Sequence, residues 1–489
     1  MRGYVTAYDA ETGKQLWRFY TVPGDPSKGF ENKAMETAAK TWGGEWYKYG
    51  GGGTVWDGMT YDPDSNLIYF GTGNGGPWPS EFRQSKGLDN LYVCSIIALN
   101  ADTGEYRWHY QVVPEDNWDF DIVQQLTLAD IRIEGRTRKV LMQANKNGFF
   151  YVLDRLTGKL ISASPFAQVN WASEIDIKTG RPMESPEAFY GKERPVTIYP
   201  GPGGAHNWAP MAFNPVTNLM YITISSATSF TYRLPETFSY QPGRINMGLN
   251  FGPPPGVPAP GGAGGPGGRG GTTPPAPPAP GAIAEPGAAA GAGLAAPTGP
   301  PPGAPAALVL PIVGPADKDG KQYTDSWLIA IDPATQKEKW RMKGGGSIGG
   351  GALTTAGNLV FQSLNDGHLK AYRADTGVEL LDLKTNQPGG MGPPMTYSVD
   401  GKQYIAVSGG RGAFTGFGPG GPGPGPGAAP GPGGGRGGPG GGPGANAAPA
   451  PPAVPPVPAT PPAPPRLYIY TLDGKAGKPT PGHPATPPQ

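Results

Sequence analysis

The sequence has few of the residues that build several common kinds of site. Its single cysteine, Cys94, excludes an intrachain disulfide, a cysteine-based zinc cluster and a C-x-x-C-H haem site. No apolar run is long enough for a membrane-spanning helix. The net charge of +1 points neither to nucleic acid nor to an acidic membrane surface as a partner. The first residues also lack the basic and apolar segments of a secretory signal.

Glycine and proline, in contrast, are abundant, with 81 and 62 residues out of 489. Two stretches, 251–316 and 414–466, are nearly all glycine, proline and alanine, and offer almost no large apolar side chains for a core. We predict that both are disordered insertions. Collagen is the alternative, but the glycines keep no strict three-residue period. The folded parts are then 1–250 and 317–413, and 467–489 supplies a last strand and a tail.

The remaining sequence repeats itself. "TAYDAETGKQLWRF" (6–19) recurs as "IALNADTGEYRWHY" (97–110), and three further copies begin at residues 151, 329 and 370. Each copy reads as a strand, a polar turn and a second strand, at intervals of roughly 45–50 residues. This pattern predicts an all-β fold of the β-propeller type. We expect Trp17, Trp108 and Trp340 to lie flat between blades, and the blade with Leu381 in that position to be less regular.

The stretch "NWDFD" (117–121) places two acids two residues apart. If it is extended, Asp119 and Asp121 project from the same face of the chain. Two carboxylates so placed repel each other unless water or a cation lies between them.

Several longer motifs resemble one family. "RGYVTAYDAETGKQLWRFYTVPGDP", "GGGTVWDGMTYDP", "YFGTGNGGPW", "NWDFD", "VLMQANKNGFFYVLDR" and "GGAHNWAPM" look like the pyrroloquinoline quinone (PQQ) alcohol dehydrogenases, which include methanol dehydrogenase. The resemblance covers residues 1 to about 230 and about 320–413. It implies an eight-bladed propeller with PQQ on its axis and Ca²⁺ or a lanthanide ion beside the quinone. This chain supplies about six of those blades, so the expected propeller is incomplete.

The resemblance also implies roles for individual residues. Asp119 corresponds to the catalytic base, and Asn74 of "TGNG" to an amide ligand of the metal. The remaining correspondences are all cofactor contacts: Thr54 to a PQQ carboxylate, Trp56 under the PQQ ring, Lys146 beside the quinone oxygens, and Asn207 and Trp208 of "AHNW".

The chemistry of these residue types agrees with such a site. A flat, electron-poor quinone suits an aromatic face, its carboxylates suit hydroxyls and cations, and a hard metal suits oxygen ligands. Taken singly, each residue has a simpler interpretation: Trp56 as core, Asn74 as a turn residue, Lys146 as a solvated charge. His206 reads as a hydrogen-bonding support and Cys94 as inert core.

Asp121 bears on the identity of the metal. By the resemblance, calcium-type members have a small or neutral residue two positions after the base, and lanthanide-dependent members have an aspartate there. A trivalent ion supports one more carboxylate than a divalent ion. We therefore expect Asp121 to be a metal ligand and the site to favour a lanthanide. The alternative is that Asp121 faces water or pairs with an arginine.

The predicted function is PQQ-dependent oxidation of a primary alcohol to an aldehyde in the periplasm, with a separate cytochrome c as electron acceptor. The family's other carboxylate ligand, a glutamate, aligns just before Met1, and the first blades align there too. We therefore expect the chain to correspond to a member without its N-terminal third, and its isolated form to be inactive. The alternative is a non-catalytic propeller fragment or scaffold.

Overall fold

Six antiparallel sheets follow one another along the chain and are called sheets 1 to 6 below. The computed structural model describes residues 1–242, 246–249, 307–345, 350–385, 392–409 and 466–471. The strands of sheets 1 to 3, in order, are Tyr4–Tyr8 and Gln15–Tyr20; Thr60–Asp62, Leu67–Gly71, Ser95–Asn100 and Tyr106–Gln111; Thr127–Ile133, Arg136–Ala144, Phe149–Asp154 and Leu160–Pro165. Those of sheets 4 to 6 are Ala212–Asn214, Leu219–Ser225, Ser326–Asp332 and Lys337–Lys343; Ala352–Thr355, Leu359–Ser363, His368–Arg373 and Glu379–Lys384; Met395–Val399, Lys402–Gly409 and Arg466–Thr471.

The other elements are short and lie in the connections between these sheets. The α-helices in the described ranges are Lys33–Ala39 and Trp46–Tyr49, and 3₁₀ turns occupy Pro26–Lys28 and Pro186–Ala188. The additional small sheets pair Gly51–Gly52 with Gly75–Gly76, Ala172–Ile175 with Pro182–Glu184, and Val196–Ile198 with Phe230–Tyr232 and Leu308–Val309. Within the described ranges no helix is both long and apolar enough to cross a membrane.

Apolar side chains fill the space between each sheet and the next. Phe19 of sheet 1 packs in one cluster with Leu99 of sheet 2, and Tyr69 of sheet 2 with Leu153 of sheet 3. The same holds between sheets 3 and 4, 4 and 5, and 5 and 6, which share three further clusters. Sheets 2 to 5 therefore pack against a neighbouring sheet on both faces, as expected for sheets stacked in series. The predicted all-β class is confirmed.

The polar turn of the repeat packs against the neighbouring sheet. In sheet 1 the Asp9 carboxylate accepts hydrogen bonds from the Thr12 N–H (2.7 Å) and hydroxyl (2.6 Å), and Gly13 follows at φ +68°. The indole of the preceding sheet lies against the turn glycine, so closely that a Cβ built there would fall 2.4–2.8 Å from a ring atom. These pairs are Trp17 with Gly104, Trp108 with Gly158, and Trp340 with Gly377. The predicted position of the three tryptophans between blades is confirmed.

This arrangement predicts a difference between two glycine-to-alanine changes. At Gly158 (φ +71°) a Cβ would meet the Trp108 ring at 2.4 Å, whereas at Gly13 the described residues leave 4 Å clear. We expect Gly13→Ala to cost about 1 kcal/mol of unfolding free energy from backbone strain alone. Gly158→Ala should cost a further ~1–3 kcal/mol, because the indole must move. Urea unfolding of both variants measures this, and equal losses would refute the packing role of the ring.

The predicted insertions fall mainly outside the described residues, since 251–306 and 410–465 are not covered. The end of the first one was predicted too late in the sequence. Leu308–Val309 forms a strand parallel to Val196–Ile198, and Leu310 is buried in a core cluster. Leu308 to Leu310 interrupt the glycine–proline composition with apolar residues that can pair and pack. Similarly, Arg466, predicted to lie in the second insertion, begins the last strand of sheet 6.

Candidate cofactor and metal site

The centre of the site is a buried lysine held between two aspartates. The Lys146 ammonium lies 3.0 Å from Asp119 Oδ2 and 2.7 Å from Asp121 Oδ2, and its side chain is 1% exposed. Lys146 comes from the hairpin turn between two strands of sheet 3, Arg136–Ala144 and Phe149–Asp154. The two aspartates come from the loop that joins sheet 2 to sheet 3. One positive charge thus faces two negative charges, and all three side chains are buried.

The loop of the two aspartates is not extended, contrary to the sequence-based premise. Asp119 has φ +64°, in the left-handed region that few residues other than glycine adopt. The reason lies in Asp116, whose Oδ1 accepts hydrogen bonds from the N–H groups of Trp118 and Phe120, both at 3.2 Å. These hydrogen bonds to a side chain of the same loop take the place of the backbone hydrogen bonds that an extended strand would make. The two carboxylates still converge, because Lys146 attracts both.

The carbonyl groups of this loop are also fixed. The buried guanidinium of Arg83 donates to the Asp116 carbonyl at 2.8 Å. The following carbonyls accept from tyrosine hydroxyls, that of Asn117 from Tyr190 (2.7 Å) and that of Trp118 from Tyr232 (2.8 Å). The loop that presents the two aspartates is therefore held by hydrogen bonds on both sides, which makes it a rigid support for Asp119.

Partly exposed residues lie next to this buried group. The rings of Trp56 and Trp208 meet edge to face, with centroids 6.1 Å apart and an interplanar angle of 73°. Asn74 donates its backbone N–H to Asp121 Oδ1 at 2.9 Å. Thr54 is placed next to it, since its carbonyl accepts from the N–H of Gly73 at 2.8 Å. Trp56 belongs to no core cluster, so the interpretation as a core residue does not hold.

The segment 203–208 closes the site from the side of sheet 4. It packs directly on Lys146, whose carbonyl accepts from the Ala205 N–H at 3.0 Å. Asn207 is buried and donates to the Gly203 carbonyl at 3.1 Å, and within the described part of the chain its Oδ1 has no hydrogen-bond partner. A buried amide oxygen of this kind calls for a donor. The structure therefore brings all eight predicted site residues into one group.

The electrostatics of the buried group favour an acceptor of protons. Burial raises the pKa of the Asp119 carboxyl well above its usual range, against the attraction of Lys146. Burial alone would lower the pKa of Lys146, but the charges of Asp119 and Asp121 outweigh it and raise that pKa. Lys146 is thus a permanent cation, and the interpretation as a solvated charge is wrong.

The donor set suits a hard metal ion and an anionic quinone. The two carboxylates and the Asn74 amide supply oxygen atoms, which such an ion prefers. Across the described ranges, no group of three His, Cys, Asp or Glu side chains is placed to hold a metal, so the two aspartates rely on a neutral ligand. Asp121 neither faces water nor pairs with an arginine, because its partners are Lys146 and Asn74. The Asn207 Oδ1, which lacks a hydrogen-bond partner among the described residues, can accept a hydrogen bond from a ligand at this site.

His206 is a support and not a metal ligand in this arrangement. It is completely buried, and its Nδ1 hydrogen-bonds the Thr223 carbonyl at 2.8 Å. Burial lowers its pKa to about 4, although the Thr223 carbonyl works in the opposite direction. His109 shares this behaviour, with a pKa lowered by burial to about 4. Both rings are neutral at physiological pH.

The buried histidines predict acid sensitivity. Unfolding releases each ring to take up a proton near its ordinary pKa of ~6.5, so stability is complete above that pH and falls as the pH drops toward 4. Each ring should contribute a slope of up to ~1.4 kcal/mol per pH unit. His206→Gln should remove its share and leave that of His109. Unfolding free energies measured at several pH values test this, and an unchanged slope would contradict it.

Comparison with known proteins agrees with this geometry. Residues 1–170 and 333–405 match the family described as PQQ glucose/ethanol/alcohol dehydrogenase, β-propeller domain. The chain belongs to the PQQ-dependent alcohol dehydrogenase family. Its six sheets in series are therefore blades of a quinoprotein propeller, as predicted, whereas the eight-blade count of the complete ring stays a prediction.

Two quinohaemoprotein alcohol dehydrogenases illustrate the similarity. ADH IIB of Pseudomonas putida is 44% identical over 413 residues, which are 84% of this chain and 50% of the relative. The crystal structure of the Comamonas testosteroni enzyme superposes with a TM-score of 0.65 at 40% identity, over 83% of this chain and 52% of that one. The structure of a europium-containing methanol dehydrogenase superposes with a TM-score of 0.62 at 31% identity, over 84% of this chain and 62% of that one. The chain thus spans about half the length of the curated relatives it matches.

Two residues of the site escaped the sequence analysis, Arg83 and Asp116. Asp116 stands one residue before "NWDFD", and a buried aspartate followed by N–H groups two and four positions later is a known loop-forming pattern. That signal was present in the sequence. Arg83 gave none, because its partner in the aspartate loop, the Asp116 carbonyl, is 33 residues away along the chain.

Proposed function

We propose that this chain forms the catalytic part of a dehydrogenase that oxidises a primary alcohol to the aldehyde with PQQ and a metal ion. The observation that carries the proposal is the buried Asp119–Lys146–Asp121 group together with the edge-to-face pair of Trp56 and Trp208. When bound, PQQ takes up two electrons from the alcohol and the metal ion acts as a Lewis acid beside it. The relatives named above act on alcohols or methanol, which supports the substrate class.

Asp119 is the proposed base. Burial raises the pKa of Asp119 from the acidic range of an ordinary carboxylate towards neutral pH. A general base works best when its pKa is near the pH at which it operates. The positive charge of Lys146 favours the ionised form of Asp119. The hydrogen bonds that Asp116 accepts from its own loop hold the Asp119 carboxylate in place. The proton of the substrate hydroxyl would pass to an oxygen of Asp119.

The other side chains bind and orient. Trp56 and Trp208 offer flat aromatic surfaces for the quinone, and Thr54 and Asn207 offer polar contacts for its oxygens. Lys146 supplies positive charge toward a reduced or anionic cofactor. Asn74, Asp119 and Asp121 would hold the metal through oxygen atoms, and the second carboxylate, Asp121, favours a lanthanide over Ca²⁺.

The proposal extends to an electron acceptor and a location. The single cysteine excludes a C-x-x-C-H haem within these residues, so we propose a separate cytochrome c as acceptor, in the periplasm. A second candidate function is a non-catalytic scaffold. Sheet 1 favours it for the isolated chain, since its apolar residues Tyr4, Tyr8 and Leu16 are exposed.

The test separates cofactor binding from turnover. PQQ is titrated into the chain with Ca²⁺ or La³⁺ while tryptophan fluorescence is followed, and dye-linked oxidation of a primary alcohol is then measured. We expect quenching in the native chain and in Asp119→Asn. Because the isolated chain is expected to be inactive, turnover is measured once further propeller blades are supplied, and it should then be lost in Asp119→Asn. Asp64→Asn, an exposed acid paired with Lys139, is the matched control. Quenching without turnover in the completed propeller would favour the scaffold; absence of quenching would refute the cofactor site.

A further inference from the structure

A small pocket lies beside the aspartate loop, which is defined here as residues 115–121. Its walls come from residues 79–86 and 189–194, and Asn117 and Leu234 complete them. None of the eight residues of the cofactor and metal site lines it. Its volume of about 180 Å³ is below the ~300–1,000 Å³ of pockets that hold drug-sized ligands, so its occupant would be a small molecule.

The interior of this pocket is apolar and has free space at a glycine. Leu234 is buried, and Phe189 is partly buried against the core. Gly191 is not held at a positive φ, and a Cβ built on it meets no described atom within 4 Å. A larger side chain at this position would therefore occupy open space without backbone strain.

Basic side chains lie at the rim of the pocket. Lys86 and Arg194 are exposed, and neither forms an ion pair in the part of the chain that the structure describes. Arg194 donates to the Phe189 carbonyl, which holds its guanidinium at this wall. Glu81 is the only acid among the described lining residues, so two positive charges stand against one negative charge. An apolar interior with a positive rim suits a carboxylate attached to an apolar body.

The walls of the pocket are joined directly to the aspartate loop. Asn117 belongs to both, and its carbonyl accepts a hydrogen bond from the Tyr190 hydroxyl at 2.7 Å. The Asn117 Oδ1 accepts from the Ser80 N–H at 2.7 Å. Phe189 packs on Trp118 with ring centroids 5.2 Å apart. A local opening of the loop that breaks these contacts therefore also breaks the pocket.

We propose that this pocket binds a small carboxylate with an apolar body and that the bound molecule stabilises the native form of the aspartate loop. The carboxylate lies between Lys86 and Arg194, and the apolar body lies against Phe189 and Leu234. Because only the native loop completes the pocket, the ligand favours that form by mass action. Binding needs neither PQQ nor a metal ion; the consequence for catalysis, a base held in position, rests on the proposed function.

Benzoate is the probe, titrated by calorimetry into the chain without PQQ or metal. Benzamide has nearly the same shape without the charge, and we expect it to bind about fivefold more weakly, as the loss of exposed ion pairs predicts. Lys86→Gln should weaken benzoate binding by about two- to fivefold. Gly191→Phe should abolish it, because the new ring fills the pocket. Lys337→Gln, which removes an exposed lysine on sheet 4, is the matched control and should change nothing.

Three results would overturn the site. They are equal affinity for benzoate and benzamide, tighter binding of the cation benzylamine, and benzoate binding that survives Gly191→Phe, since the ligand then lies elsewhere. Circular dichroism shows whether Gly191→Phe is folded. If it is not, Lys86→Gln decides, and an unchanged affinity in that variant refutes the site.

Hydrogen exchange of residues 115–121 tests the effect on the loop. At a benzoate concentration about ten times its Kd, exchange through local opening should slow about tenfold, because the ligand multiplies the stability of the native loop by that factor. The N–H groups of Trp118 and Phe120, which donate to Asp116, report it, and residues 352–384 of sheet 5 should not change. Unchanged exchange at saturating benzoate overturns the effect on the loop. Failure of PQQ or metal to bind would leave both results intact and count against the proposed function alone.

Discussion

Replacing Lys146 with methionine is expected to lower the free energy of unfolding by about 3–5 kcal/mol, the cost of leaving buried charges without their partner. The change removes the ammonium that lies 3.0 Å from Asp119 and 2.7 Å from Asp121, and methionine keeps most of the apolar stem. The two carboxylates then repel each other in a site that excludes water. Urea unfolding of the ligand-free chain at neutral pH measures the loss.

The pH dependence identifies the cause. Without Lys146 the Asp119 carboxyl, whose pKa is already raised by burial, ionises less readily in the folded chain than in the unfolded chain, so the deficit is largest well above pH ~4, the ordinary pKa. It should shrink as the pH falls and Asp119 takes up a proton. Lys139→Met is the matched control, because Lys139 makes an exposed pair with Asp64 and its loss should have little effect on stability. A deficit that is independent of pH would mean lost packing and not unbalanced charge.

The sequence predicted the sheets well because their rules are local. A strand, a polar turn and a second strand form within about twenty residues, and the turns of sheets 1 to 3 share the hydrogen bond from the threonine N–H. Even the contact of Trp17 with the next sheet follows from the repeat. The pairing of the ring with Gly104, however, required the structure, because these positions lie on different copies of the motif and only their packing joins them.

The sequence predicted which residues lie together at the site, but not how they are arranged. Asp119 and Asp121 were expected on one face of an extended chain, whereas Asp116 folds the loop and turns Asp119 to positive φ. Lys146 was expected beside a cofactor, and it lies between the two carboxylates. Long-range partners such as Arg83 cannot be read from spacing, since no period relates residue 83 to residue 116. The roles assigned to these residues remain predictions.

Replacing Asp121 with asparagine is expected to weaken binding of a trivalent lanthanide more than binding of Ca²⁺. Asparagine keeps the shape and an oxygen that can still accept the Asn74 N–H, so the loop is retained while one negative charge is lost. The Coulomb energy of that charge is proportional to the charge of the ion, which makes the loss half as large again for a 3+ ion as for a 2+ ion. We expect the Kd for Tb³⁺ to rise on the order of tenfold or more.

Terbium luminescence, excited through Trp56 and Trp208, measures the affinity for the ion on the chain itself and needs no turnover. Ca²⁺ is titrated as a competitor, so both affinities come from one signal. Asp64→Asn removes a distant exposed charge and should leave both unchanged. Asp119→Asn should weaken both ions in the same sense as Asp121→Asn, because both carboxylates converge on Lys146, but only Asp119 also serves as base. An Asp121→Asn variant with an unaltered ratio of Tb³⁺ to Ca²⁺ affinity would show that Asp121 pairs with Lys146 alone and is not a ligand of the metal.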